Sequence, residues 1–401
     1  MTANKPIDDL IIIGIDFGTT YSGIAWAYSR EPDEIELVTS WDAQLDHCTD
    51  VAKAPTQLFY DKDNATTWGY SIPPAKDALK WFKLLLLEEV DIPVDLSNSV
   101  QLREARNLLK KSKKNAIEVV GCYLRKIWNH AIESIHRSVG VELLQKSKFH
   151  VVVTLPAIWP DYAHERMRRA AKISGMLDAR PCGKTILVFV SEPEAAALAT
   201  IKDLSKRSTI KKGDTMVICD AGGGTVDLIS YVIKSMNPFV VKECVKGDGD
   251  LCGGVFLDEH FIKLIKRKVS AGSWENVSKA QERKFLNDGW EHKIKPQFSD
   301  SNQQRTWLVD LPDSCGESSN RRTKRRKTLE LTSSDLVSVF APVVDKIETL
   351  VRRQNQAIQM KYGRSAKYIV LVGGFGRSSY LYNKLQSTME ATVLQSRGIS
   401  P

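Results

Sequence analysis

The sequence predicts an α/β fold made of two related halves, and three observations predict it. Short apolar runs alternate with amphipathic helical stretches along the chain. Residues 11–15 lead into Asp16-Phe17-Gly18-Thr19-Thr20, and about half a chain later residues 216–219 lead into Asp220-Ala221-Gly222-Gly223-Gly224-Thr225. Each turn is followed by a second apolar run, at 21–28 and at 226–233, so a strand–turn–strand unit occurs twice, as in a duplicated architecture. The alternation of strands with helices further argues for largely parallel sheets.

In chain order, residues 41–68 are mixed and punctuated by proline, which reads as short strands and loops, and 74–89 reads as a helix. Residues 102–139 carry apolar side chains at spacings of three and four, among them Leu108, Val120, Leu124, Ile127 and Ile135, the mark of one long amphipathic helix or a pair. The run 149–155 reads as a buried strand, 162–174 as a basic helix, 186–190 as a strand and 192–201 as an alanine-rich helix. Residues 270–330 are polar and basic with weak periodicity, and a peripheral subdomain or a loop-bearing hairpin is expected there. Residues 334–360 read as a helix with a serine cap and an apolar face of Leu336, Val339, Phe340, Val343 and Ile347, and Pro342 is placed to kink it. The last strong strand, 368–372, ends in Gly373-Gly374. The halves are expected as a first lobe, 1–205, and a second lobe, 206–401, with an inserted subdomain at about 255–330.

Bulk composition narrows the function classes. With 42% hydrophobic and 26% charged residues, the 401-residue chain can bury a sizeable core. The longest apolar stretches, 10–15 and 84–87, fall far short of the ~18 residues of a membrane span. Residues 1–9 lack the apolar core of a signal peptide, so a cytoplasmic setting is expected. Seven cysteines, an odd number without any CxxC pair, suit reduced thiols. Six of the nine excess positive charges sit in the cluster Arg321-Arg322-Thr323-Lys324-Arg325-Arg326-Lys327, which reads as a solvated loop, with a nuclear import signal as the alternative. No aromatics are interleaved with the cluster, so a nucleic-acid partner is not expected. His164-Glu165 has Arg168 where a zinc HExxH motif needs its second histidine, and no Gly-x-Ser-x-Gly elbow occurs.

The chemistry lies in the glycine turns. Backbone amides can hold a phosphate chain where side chains do not obstruct the approach, and glycine also permits the positive φ of a tight turn. Threonine hydroxyls add donors. A carboxylate at the end of each strand, Asp16 and Asp220, needs a cation between it and phosphate, a role suited to hydrated Mg²⁺. Either turn alone is equally well a plain hairpin, since Asp and Gly dominate turns. Two of them, each behind an apolar strand and joined by Gly373-Gly374 behind a third, favour phosphate binding. No Walker loop and no helix-opening GxGxxG is present.

At these residues the chain resembles the heat-shock-70 chaperone family. Ile13-Gly14-Ile15-Asp16-Phe17-Gly18-Thr19-Thr20-Tyr21-Ser22 is similar to that family's first phosphate motif and Asp220-Ala221-Gly222-Gly223-Gly224-Thr225-Val226-Asp227 to its second. Val152-Val153-Thr154-Leu155-Pro156-Ala157 resembles the first connecting motif. Ser191-Glu192-Pro193-Glu194, Gly253-Gly254 with Asp258, and Leu371-Val372-Gly373-Gly374-Phe375-Gly376-Arg377-Ser378 resemble further family elements in the same order. The resemblance implies two actin-like, ribonuclease-H-like lobes with a nucleotide cleft between them, in a divergent branch without the peptide-binding domain. It implies ATP or ADP with Mg²⁺ as ligands, Asp16 and Asp220 anchoring the metal through water. Gly18, Thr19, Thr20 and Tyr21 would hold phosphates from one side, and Gly222, Gly223, Gly224 and Thr225 from the other. Lys83 would be the catalytic lysine, and Glu192 and Asp227, with Thr225, would position the attacking water. Gly373, Gly374 and Arg377 would meet the adenosine. Glu291 and Lys295 match the family's second adenosine helix only loosely, and the arginine that relays nucleotide state falls on His164. The family's closing helix would come after the strand near 392–394, so the second lobe is expected to be C-terminally truncated. Three functions fit these residues: an ATPase domain of a chaperone-like protein, a sugar-type small-molecule kinase, and a non-catalytic nucleotide-binding module with protein partners unspecified.

Overall fold

A computed structural model describes residues 9–395 apart from 44–50, 62, 64, 74–75, 93–96, 98, 205–209, 238, 270, 300–304 and 316–327. The basic cluster at 321–327 lies outside the described residues. The described residues fall into two compact units, one within Met1–Ala195 and one within Ala196–Ile399.

In the first unit, β1 (Leu10–Phe17) pairs antiparallel with β2 (Tyr21–Tyr28), and β3 (Glu36–Leu37) and β4 (Lys53–Pro55) both pair with β2. A small second sheet contains β5 (Gln57–Tyr60), β6 (Thr66–Trp68) and β7 (Leu79–Lys80). Where the sequence reads as a helix over 74–89, the chain instead forms β7 and a short 3₁₀ turn, Phe82–Leu86. Trp81 takes the left-handed conformation, φ +61°, and Trp81, Phe82, Leu84 and Leu86 are all buried. Packing on every side has overridden helix propensity there.

Two helices occupy the long periodic stretch, α1 (Val100–Ser112), capped by Ser99, and α2 (Ala116–Lys146), opened by an Asn115/Glu118 capping box. Lys113 between them is left-handed, φ +54°, which separates the pair. Then come β8 (Lys148–Leu155), α3 (Asp161–Ser174), β9 (Ile186–Ser191) and α4 (Glu192–Leu204), which belongs to the second unit from Ala196 on. β8 lies parallel to β1 and β9 parallel to β8, giving the order β3-β2-β1-β8-β9.

The second unit repeats this plan. β10 (Thr215–Ala221) pairs antiparallel with β11 (Val226–Met236), which pairs antiparallel with β12 (Phe239–Asp250). After α5 (Val255–Lys268), α6 (Lys279–Phe285) and a π-helical stretch, Leu286–Ile294, come the hairpin strands β13 (Trp307–Asp310) and β14 (Thr328–Leu331). α7 (Ser333–Tyr362), β15 (Tyr368–Val372), α8 (Ser379–Thr388) and β16 (Thr392–Gln395) complete the unit. Its order, β12-β11-β10-β15-β16, has the same pairing directions as the first sheet. Both sheets are therefore mixed: an antiparallel hairpin on one side of the central strand and parallel strands on the other.

Alternation explains why β10 reads as a continuous apolar run. Val217, Cys219 and Ala221 pack into one buried cluster with α5 and α7, while Met216 and Ile218 pack into another on the opposite face. Within the stretch 270–330, read from sequence as a peripheral subdomain or a loop-bearing hairpin, β13 and β14 form a hairpin. Trp274, Phe285, Trp290, Phe298 and Trp307 join the same core as β10, with Trp290 stacked 4.1 Å from Phe261. α7 runs through Pro342, and its cap is Thr332 rather than a serine. Thr332 Oγ1 accepts from the Asp335 amide at 3.2 Å, and Asp335 Oδ2 accepts from the Thr332 amide and from Lys268 Nζ, both at 2.8 Å.

Burial pushes the Asp335 carboxyl upward, but these bonds outweigh it and hold it below its ordinary value of 3.8. A depressed carboxyl stabilises the fold above its unfolded value, and that contribution is lost as pH falls through the folded value. Asp335→Ala should cost about 1 kcal/mol at pH 7. In urea unfolding at pH 7 and pH 3, the gap between parent and variant should shrink at the lower pH.

Candidate functional site

The central strand of each unit ends in an aspartate followed by a glycine turn. In the first unit β1 buries Ile11, Ile13, Ile15 and Phe17 on one face, which sets Asp16 on the other. Only glycine fits at 18, because a Cβ there would lie 2.1 Å from the Tyr21 carbonyl oxygen. The Thr56 amide donates to the Thr20 carbonyl at 2.8 Å, and the hydroxyls of Ser22 and Thr56 meet at 2.8 Å, tying the turn to the strand beyond β2. Thr19 is buried and Tyr21 exposed.

Asp16 carries a partner that no sequence motif marks. Lys53 Nζ lies 2.5 Å from Asp16 Oδ2. The only cue, visible once the strands are paired, is register: Asp16 stands opposite Gly23, and Gly23 opposite Lys53.

Lys83 and Glu192 form a second, more enclosed ion pair. Lys83 Nζ lies 2.5 Å from Glu192 Oε1, with the lysine side chain 2% exposed and the glutamate 14%. The exposed helix face that a lysine in this stretch would ordinarily occupy is absent. The ammonium instead sits 5.6 Å from the Phe17 ring centre and 5.5 Å from that of Trp159. Phe17, Phe82 and Tyr123 pack together behind it, with ring centres 5.6–6.3 Å apart. Burial pushes the Glu192 carboxyl above its ordinary value, against the pull of Lys83, and the charges of Asp16 and Lys53 also reach it. Asp16, Lys53, Lys83 and Glu192 thus form one electrostatic group.

In the second unit Asp220 stands opposite Asp227 on β11, and Asp227, 1% exposed, stands opposite Gly249 on β12. The Gly222 amide closes the turn on the Thr225 carbonyl at 2.9 Å. The carbonyls of Gly222, Gly223 and Gly224 accept from the amides of Gly254, Val255 and Gly253 at 2.9–3.2 Å, which locks the loop onto the start of α5. Gly373, at the end of the neighbouring β15, has φ +82°, and a Cβ on it would meet Asp220 Oδ1 at 2.4 Å. Gly374 faces open space, and Arg377 is exposed beyond it.

Asp258, Glu291 and Lys295 also converge. Lys295 Nζ lies 2.8 Å from both Asp258 Oδ1 and Glu291 Oε2, and Trp290 Nε1 donates to Asp258 at 2.7 Å. Burial pulls the Lys295 ammonium down, but the two carboxylates outweigh it and hold it above its ordinary value. Burial raises Asp258 against the pull of Lys295. Glu291 and Lys295 span the exit from the π-helical stretch, one residue further apart than in the family pattern. The wider turn of a π-helix absorbs one extra residue. The Cε of Lys295 lies 3.8 Å from where a Gly254 side chain would begin, so this group borders Gly253-Gly254.

These donors can be tested against the Mg²⁺ implied by the resemblance. Among the described residues, no three His, Cys, Asp or Glu side chains gather into a metal cage. Within its own unit, each of Asp16 and Asp220 presents a single carboxylate beside a glycine turn, an oxygen donor of the kind taken by an ion that keeps most of its waters. The absence of a side chain at Gly373 leaves room beside Asp220 Oδ1. Taken one unit at a time, the chemistry of these donors fits a hydrated ion.

The family model described as Hsp70 protein matches residues 109–396. The chain is similar to human heat shock 70 kDa protein 12B, 24% identical over 96% of this chain and 66% of the relative. It is similar to human heat shock 70 kDa protein 12A, 21% identical over 94% of this chain and 65% of the relative. A chaperone protein HscA homolog of Acinetobacter baumannii is 26% identical over 67% of this chain and 40% of the relative. The chain thus spans just under two thirds of the length of the first two relatives. Among the described residues no helix is long and apolar enough to cross a membrane.

The Lys83–Glu192 pair predicts a double-mutant signature. Removing one member of a buried pair strands the other charge, at about 3–5 kcal/mol, whereas replacing both is nearly neutral. Lys83→Met should therefore destabilise the chain strongly in urea unfolding, and Lys83→Met combined with Glu192→Gln should recover most of the loss.

Proposed function

The chain belongs to the Hsp70 family, and from that premise we propose that it binds ATP with Mg²⁺ and hydrolyses it slowly to ADP and phosphate. The observation that carries this reading is the duplicated hairpin: in each unit the central strand ends in Asp-x-Gly, at the same place in the same strand order.

The phosphates would be held by the turn amides at Gly18, Thr19, Thr20 and Tyr21 and at Gly222, Gly223, Gly224 and Thr225, with the threonine hydroxyls as added donors. Asp16 and Asp220 would anchor hydrated Mg²⁺, which supplies charge neutralisation at the phosphates. Gly373, Gly374 and Arg377 would contact the adenosine, and Asp258, Glu291 and Lys295 border that region. Phosphoryl transfer needs little from the protein beyond positioning and charge. Lys83 brings one positive charge that its aromatic surroundings hold in place. Glu192, with its carboxyl raised by burial, suits accepting a proton from a water it orients, and Asp227 suits the same work from the second unit. A chaperone-like role belongs to this reading, since the HscA homolog is named as a chaperone.

Single-turnover hydrolysis of labelled ATP tests it. The parent chain should form ADP, and Asp220→Asn should slow the step about 10²-fold while still binding nucleotide, the size of loss seen when one charge-stabilising group is removed. Turnover that starts only when a sugar is added would make the chain a small-molecule kinase. Binding without any hydrolysis would make it a nucleotide-binding module.

A further inference from the structure

The row Asp16–Gly23–Lys53 crosses three strands of the first sheet. Residues directly opposite one another in antiparallel strands point to the same face. Two strand spacings amount to about 10 Å, close to the combined reach of a lysine and an aspartate. The glycine between them makes the contact possible. A Cβ on Gly23 would lie 3.1 Å from Lys53 Cγ and 3.7 Å from Lys53 Cε, so the lysine stem lies over the space that a side chain at 23 would fill. The corresponding row in the second unit, Asp220–Asp227–Gly249, holds two carboxylates and no lysine.

The two lysines of the first unit differ in kind. Lys83 is enclosed by rings, whereas the side chains of Lys53 and Asp16 are 28% and 25% exposed. A partly exposed pair contributes little net stability and separates at little cost. An ammonium beside the carboxylate that suits a metal is also a competitor for it.

We propose that Lys53 is a built-in counter-ion of the phosphate site: it neutralises Asp16 in the nucleotide-free chain and turns to phosphate oxygens when nucleotide binds, leaving nucleotide affinity only weakly dependent on Mg²⁺. This rests on the nucleotide-binding reading above. The charge felt at Glu192 from both Lys53 and Asp16 places the pair within electrostatic range of the Lys83–Glu192 pair.

The test is an equilibrium titration of the full chain with a fluorescent non-hydrolysable ATP analogue, in Mg²⁺ and in EDTA. The parent's Kd should differ by less than about tenfold between the two buffers. Lys53→Met should weaken binding in EDTA by about ten- to hundredfold, the loss of one charge-assisted hydrogen bond, and change binding in Mg²⁺ little. Lys53→Arg should keep the parent's ratio. A parent chain that binds only in Mg²⁺ overturns the proposal whether or not Lys53→Met folds. Equal Mg²⁺ dependence in the parent and a Lys53→Met chain of parental circular dichroism overturns it too. No binding by the parent in either buffer removes the nucleotide reading itself, and the proposal with it.

Discussion

A carboxylate at the end of a central strand calls for positive charge beside it, and each unit places such a carboxylate there. Asp16 and Asp220 occupy equivalent places, each one residue before the end of a strand that has an antiparallel hairpin partner on one side and a parallel partner on the other. The units differ in what they set beside that carboxylate. The first brings Lys53 across an intervening glycine, whereas the second sets Asp227 beside Asp220 and clears space with Gly373. One sheet plan thus carries two charge patterns, and the difference comes from which residue type stands at each cross-strand position.

The buried Lys83–Glu192 pair is costly by ordinary standards. Desolvating two charges consumes much of what their attraction returns, so such a pair is weak evidence for stability. Its surroundings spend further material on it: a left-handed tryptophan, a short 3₁₀ turn in place of a helix, and a backing of three aromatic rings. Perturbed, enclosed charges of this kind gather at functional sites. The Asp258–Glu291–Lys295 group in the second unit follows the same pattern, with a π-helical stretch adjusting the spacing of its members.

Much of this was legible in the residues, and the failures have common causes. The two strand–turn–strand units, the helix pair over 100–146 and the strand at 368–372 rest on period and turn chemistry, which act over a few residues. The stretch 74–89 misled because its apolar residues are buried on all sides, so their spacing does not report one helix face. In the stretch 270–330 the hairpin was legible, whereas the widely spaced aromatics Trp274, Phe285, Trp290, Phe298 and Trp307, which share the core of β10, set up no helix or strand period. The cap of α7 moved from serine to Thr332 because Asp335, three residues on, completes the reciprocal bonds. Of the candidate site, the glycine turns were plain, Lys83 and Glu192 were each visible but not as a pair, and Lys53 was not visible at all.

The sequence by itself determined where the chain turns sharply and which carboxylates end its central strands, since glycine's freedom and the alternation of a strand are local properties. Only the tertiary structure decided which lysine faces which carboxylate. Lys53 and Asp16 are 37 residues apart, and Lys83 and Glu192 are 109 apart. Such pairs are set by strand register and by the packing of rings around an ammonium, and neither leaves a mark in the local order of residues.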